Sequence, residues 1–141
     1  MAQAEISKVI DVDSKEFFKA VNNFEAYPEF VDGCKSVKVD RKSDTEARVT
    51  YNVSMMKEIS YTLDHRADPK TGRIDWKLQK SDFLKKNEGY WIIKPAGPGK
   101  TEVKYAIEIE FNFPVPGLIL NRLVKSSLPS MLASFTEKAG G

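Results

Sequence analysis

The 141 residues hold one cysteine, Cys34, and one histidine, His65. A lone cysteine can form neither an intrachain disulfide nor a cysteine-built zinc site. A lone histidine excludes a His–His metal pair and the H-E-x-x-H arrangement. Long apolar runs are missing too. The longest, Val115 to Leu120, is broken by Pro116 and Gly117, far short of the roughly 18 residues of a spanning helix. The start, MAQAEISKVIDV, lacks a basic stretch followed by an apolar one, so no signal peptide is expected and the chain is read as cytoplasmic. Charge of one sign is absent: 22 Lys and Arg oppose 20 Asp and Glu, for a net +2. That balance gives no overall nucleic-acid footprint, and no DNA partner is expected. The basic pair Lys85-Lys86 is read as a solvated turn. No internal repeat or low-complexity block is present. The length fits one domain, residues 1–141, able to bury its own core and expected to be a monomer.

What the chain does have is a long alternating segment. From Thr101 to Phe113 the odd positions Val103, Tyr105, Ile107, Ile109, Phe111 and Phe113 are apolar. The even positions Glu102, Lys104, Glu108 and Glu110 are charged. Period two puts one face in the core and the other in water. Usual strands have about 5–6 residues, so a strand this long has to bend around something. The next segment supplies it: Leu120, Leu123, Val124, Ser127, Met131, Leu132 and Phe135 recur at helical spacing. Pro129 lies inside that helix and is expected to kink or break it between Lys125 and Pro129, since proline lacks the amide donor.

Upstream, Ala4, Ile6 and Ile10 alternate with Glu5, Ser7 and Asp11 as a first strand. Asp13 or Ser14 can cap a helix carrying Phe17, Phe18, Val21 and Phe24, which Tyr27-Pro28 should end. Pro28 can open a second short helix. Strand patterns follow at Val37–Val39, Ala47–Met55, Ile59–His65, Ile74–Leu78, Trp91–Ile93 and Thr101–Phe113. Asp68-Pro69-Lys70-Thr71-Gly72 is a turn, with Pro presetting one dihedral and Gly taking the left-handed one. One strand, one or two short helices, six closely spaced strands and a long helix predict an α+β fold with an antiparallel sheet.

Two motifs carry a resemblance. Tyr27-Pro28-Glu29-Phe30-Val31-Asp32-Gly33-Cys34, just after the first helix, resembles the Y-P-x-F-x-x-x-C element of the START-like (SRPBCC) superfamily, in its polyketide cyclase/dehydrase, coenzyme-Q-binding and ribosome-association-toxin group. Gly89-x-Trp91-x-Ile93-x-Pro95 is similar to that group's G-x-W-x-F strand, with isoleucine at the second aromatic. The resemblance implies a helix-grip fold: a seven-stranded curved antiparallel sheet wrapped around a long C-terminal helix, with a ligand cavity between them. It spans nearly the whole chain.

Parity assigns the candidate site. Tyr51, Tyr61, Trp76, Trp91 and Tyr105 fall on inward positions, where a buried phenol or indole needs a partner for its polar tip. The tyrosines can equally be plain core, and for Trp91 core packing is the favoured reading. The terminal helix adds Leu123, Ser127 and Met131. His65 shares parity with Ile59, Tyr61 and Leu63; it is either a polar anchor in the cavity or a strand-end histidine near the Asp68 turn. Cys34 is read as a small buried hydrophobe. Asp and Glu fall on outward positions or turns, and no nucleophile–base–orienter set, metal site or cofactor motif is legible. The expected function is binding or carrying a hydrophobic small molecule such as a lipid, prenyl quinone or polyketide-like compound. The resemblance leaves two alternatives: a polyketide cyclase/dehydratase, and a ribosome-interacting, toxin-like protein. Ribosome contact and transient membrane contact stay open as partners.

Overall fold

A computed structural model describes residues 2–31, 33–54, 58–118 and 128–140. Seven strands are present: β1 (Ala2–Ile10), β2 (Cys34–Arg41), β3 (Glu46–Ser54), β4 (Glu58–Asp68), β5 (Arg73–Lys80), β6 (Leu84–Gly97) and β7 (Lys100–Phe111). They form one antiparallel sheet in the order β1-β7-β6-β5-β4-β3-β2. Helix α1 (Ser14–Asn22), a 3-10 turn (Phe24–Ala26) and α2 (Tyr27–Phe30) lie between β1 and β2, and α3 (Leu128–Lys138) closes the chain. The architecture is the helix-grip fold. Asp13 holds the cap position of α1 with extended angles, but its side chain makes no capping bond.

The core forms where the inner sheet face meets α1, α2 and α3. Phe17, Val21 and Phe24 from the helical side meet Val49, Ile74, Trp91 and Val103 from the sheet. Phe135 of α3 sits among them, its ring 5.1–6.4 Å from those of Phe17, Tyr27, Phe30 and Trp91. β7 keeps its anticipated register. Val103 and Tyr105 are buried and Glu102 is exposed, while Ile107, Ile109 and Phe111 are half-buried.

Two turns hold strands in place. Gly72 has φ +73°, and its carbonyl accepts from the Ile93 amide at 2.8 Å. A side chain there would run into the Ile93 backbone. At the same end of the sheet the Thr101 hydroxyl donates to the Val12 carbonyl (2.6 Å) and is fully enclosed. Thr101→Val keeps the shape but strands that carbonyl. It should cost about 1–2 kcal/mol in urea unfolding, and a loss below about 0.3 kcal/mol would show that water replaces the bond.

Three expectations are corrected or left aside. The strand containing Trp91 begins at Leu84, so Lys85 and Lys86 lie in a strand and not in a turn. The Lys86 ammonium pairs with Glu108 of β7 at 2.8 Å, which supports that placement. Phe24 falls outside α1, in the 3-10 turn. Pro129 lies in α3. The expected kink from Lys125 falls largely outside the described residues.

Candidate functional site

The inner face of β3, β4, β5 and β7 gathers most of the anticipated residues. Tyr51 and Tyr61 are direct cross-strand partners with stacked rings, centroids 5.3 Å apart. Trp76 and Tyr105 stack at the same separation from β5 and β7. Gly89 makes room for this: a side chain there would collide with the Ala106 carbonyl and come within 2.7 Å of the Trp76 ring. Trp91 lies deeper, edge-on to Tyr105 (4.7 Å) and Phe17 (5.7 Å), inside the core. Met131 is half-buried on α3. Leu123 and Ser127 lie outside the described residues.

His65 sits within β4, not free at a strand end. Its Nε2 shares a 2.9 Å hydrogen bond with the Tyr51 hydroxyl, and its ring packs 4.4 Å from that of Phe24. Its Nδ1 is enclosed and has no partner among the described residues. Burial pulls its pKa down to about 4, against the weaker upward pull of the Asp64 carboxylate. The imidazole is neutral at physiological pH. Burial also raises the phenols of Tyr27, Tyr51, Tyr61 and Tyr105, so all four stay protonated.

Three contributors escaped the sequence reading. Asn87 is buried on β6 and its Oδ1 accepts from the Trp76 indole at 3.0 Å. The Tyr27 hydroxyl donates to the Val21 carbonyl. Phe24 packs on His65. Asn87 hides in the polar run Lys85-Lys86-Asn87-Glu88, whereas Tyr27 is signalled by its place in the Tyr27-Pro28 motif.

Burial along the inner face is uneven. Ile74, Trp91, Ile93 and Val103 are sealed at one end. Tyr61, Leu78, Ile107, Ile109 and Phe111, which point inward at the other, are only half-buried. The outer face is different in kind. A wide cleft of about 960 Å³ there is lined by charged side chains such as Arg48, Asp64, Arg66 and Asp75. Its charges are mostly paired across strands: Arg48–Asp64 at 2.8 Å, Arg66–Glu46 at 3.1 Å, Lys86–Glu108 at 2.8 Å. Among the described residues no group of three or more His, Cys, Asp or Glu could hold a metal, and no helix is long and apolar enough to cross a membrane.

A sheet gripping a C-terminal helix over an aromatic, hydroxyl-bearing inner face defines a START-like protein. The chain belongs to the polyketide cyclase / dehydrase and lipid transport family, whose model matches residues 10–136. It is 24% identical over 140 residues to the ribosome association toxin RatA of Vibrio cholerae, covering 99% of this chain and 96% of that protein. It is also 24% identical to the persistence and stress-resistance toxin PasT of Escherichia coli, covering 99% and 87%. Among solved structures it resembles a START superfamily protein from Mycobacterium smegmatis (TM-score 0.82, 19% identity, 99% and 97% covered). A Streptomyces aromatase/cyclase shares the fold at TM-score 0.84 and 10% identity, with 97% and 92% covered.

Proposed function

We propose that this protein binds or carries a hydrophobic small molecule, of lipid, prenyl-quinone or polyketide-like character, between the sheet and the C-terminal helix. The observation that carries this reading is the half-buried inward apolar row, Tyr61, Leu78, Ile107, Ile109 and Phe111. Apolar side chains that point into a fold and still meet solvent are the lining expected of a binding mouth. The sealed end provides a rigid floor. Protein purified from its own host and sprayed under native conditions should carry a bound lipid-like mass. Adding that compound at about 100 times its Kd should stabilise the fold by about 2.7 kcal/mol. No co-purifying mass, together with no stabilisation by any lipid, quinone or polyketide tested, would refute the reading.

A second reading rests on the curated relatives, which are named as ribosome-associating toxins and match along nearly the whole chain. The paired charges of the outer face argue against that face as a contact with the RNA backbone, which needs unneutralised cations. Co-sedimentation with ribosomal subunits at low salt, lost as salt rises, would favour it.

A further inference from the structure

We propose that the inner face also works as a radical trap: Tyr51 gives one electron to an oxidising radical of the organic peroxyl class while its hydroxyl proton crosses to His65 Nε2. This activity goes beyond the binding reading and does not depend on it. A phenol that loses an electron becomes a strong acid. In a dry core its proton has to pass to a base at hydrogen-bond distance, or a charged ring is left where charge is costly. His65 Nε2 lies 2.9 Å from the Tyr51 oxygen, within the reach that proton transfer needs. The imidazole is neutral at physiological pH, so it can take that proton. Of the two partners the phenol is the stronger acid and the imidazole the stronger base, so Tyr51 donates and Nε2 accepts. The ring hydrogen then sits on Nδ1, which is enclosed and has no partner among the described residues. The Asp64 carboxylate, whose charge His65 feels, favours the imidazolium that forms. His65 is the only histidine in the chain, so the other inner phenols have no imidazole of their own. Tyr27 is committed to the Val21 carbonyl, which is no base.

The neighbouring rings lead electrons to and from this pair. Tyr61 stacks on Tyr51 with centroids 5.3 Å apart and is half-buried, so it links Tyr51 to the mouth and to solvent. On the other side Trp76 lies 6.3 Å from His65 and stacks on Tyr105 at 5.3 Å, and Trp91 meets Tyr105 at 4.7 Å. Rings this close make one continuous array. An electron lost from either tryptophan is refilled from Tyr51, where the loss is eased by the departing proton. The step balances as follows. The peroxyl radical takes the electron, becomes a peroxide anion and draws a proton from water. Tyr51 is left as a neutral phenoxyl radical and His65 as an imidazolium. A thiol or enediol in solution returns the electron, His65 returns the proton, and the pair is restored.

The whole protein can be tested by flash photolysis of tris(bipyridine)ruthenium(II) with a cobalt(III) ammine as electron acceptor, which makes a one-electron oxidant in solution. Electron paramagnetic resonance reads the radical that forms on the protein. A single phenoxyl radical on Tyr51 is expected. Tyr51→Phe, which keeps the ring, should abolish it, whereas Tyr61→Phe and Tyr105→Phe should leave its spectrum unchanged. His65→Gln should slow its formation at least about tenfold, since a positioned base is lost. Formation in the wild type should also slow in D2O, because a proton moves with the electron; this measurement needs no variant to fold. Peroxyl radicals from a water-soluble azo initiator should be consumed faster by the wild type than by Tyr51→Phe. A dominant radical on Tyr90, Trp76 or Trp91 would overturn the inference. So would formation indifferent to both His65→Gln and D2O, or equal consumption of peroxyl radicals by wild type and Tyr51→Phe. The binding reading stands in each of those cases, since none of these measurements involves a bound molecule.

Discussion

Phe135→Ala should be among the most damaging single substitutions in this fold, lowering stability by about 3–5 kcal/mol. The ring is 2% exposed and touches three other elements of the core. It meets Phe17 of α1, Tyr27 and Phe30 of α2, and Trp91 of β6. Three of those contacts are edge-to-face, the geometry in which an aromatic pair adds about 0.5–1.5 kcal/mol beyond burial. The cavity left behind is walled by bulky rings on several elements and cannot collapse without moving them. At this chain length the loss corresponds to a fall in Tm of roughly 10 °C. The damage should be uneven. The cross-strand ladder does not depend on Phe135, so amide exchange should accelerate most in Leu128–Lys138 and least in the β6–β7 pair. Phe135→Leu, which refills much of the volume, should recover a large part of the loss. A penalty below about 1 kcal/mol for the alanine variant would mean that α3 is not gripped by this ring.

The features legible in the sequence are those fixed by neighbours in the chain. The alternation from Thr101 onward placed Val103 and Tyr105 inside because strand parity is strict over adjacent residues. The Pro69–Gly72 turn is likewise local, and Gly72 takes the left-handed angle it was expected to take. The first half of β6 was not legible. Lys85-Lys86-Asn87-Glu88 has no apolar period, and it becomes a strand through its antiparallel pairing with Glu108–Phe111 of β7, about 22 residues away. The aromatic wall was visible as a set of inward positions, yet its wiring was not. In the register Tyr51 faces Tyr61 and His65 faces Ala47, so the Tyr51–His65 bond runs diagonally along the strands. A long phenol spans that offset, and parity cannot foresee it. The Trp76–Asn87 bond crosses a hairpin between residues eleven apart, with the asparagine disguised by charged neighbours. The commitment of these atoms decides which donors remain for a ligand, so the chemistry of the site depends on its least legible part.

His65 should make the fold lose stability between about pH 6.5 and pH 4, beginning before the carboxylates titrate. The only histidine of the chain lies against Phe24, Tyr51 and Trp76, and burial lowers its folded pKa to about 4. In the unfolded chain it returns to about 6.5. Between those values the unfolded state binds the extra proton, so stability rises with pH and is fully present above about 6.5. The whole gap is worth about 3 kcal/mol, of which about 2 kcal/mol is lost on going down to pH 5. Two neighbours temper it. Asp64 pulls the pKa upward, but its carboxylate is engaged by Arg48 at 2.8 Å on the outer face. Arg41 lies over the Phe24 ring and is neutralised by Glu25. The carboxylates whose pKa values are depressed by ion pairing, Glu25, Asp40, Glu58 and Glu108, give up their contributions only at lower pH. The interval from about 6.5 to 5 therefore isolates the imidazole. His65→Gln keeps a polar side chain that can reach the Tyr51 hydroxyl and removes the proton site, so its stability should be nearly flat across that interval. Urea unfolding of both proteins at each pH gives the comparison, and the His65 ring resonance in a proton NMR titration gives the folded pKa directly. An NMR midpoint near 6.5, with parallel stability curves for wild type and variant, would show that the ring is hydrated and that the Tyr51–His65 pair is open to water.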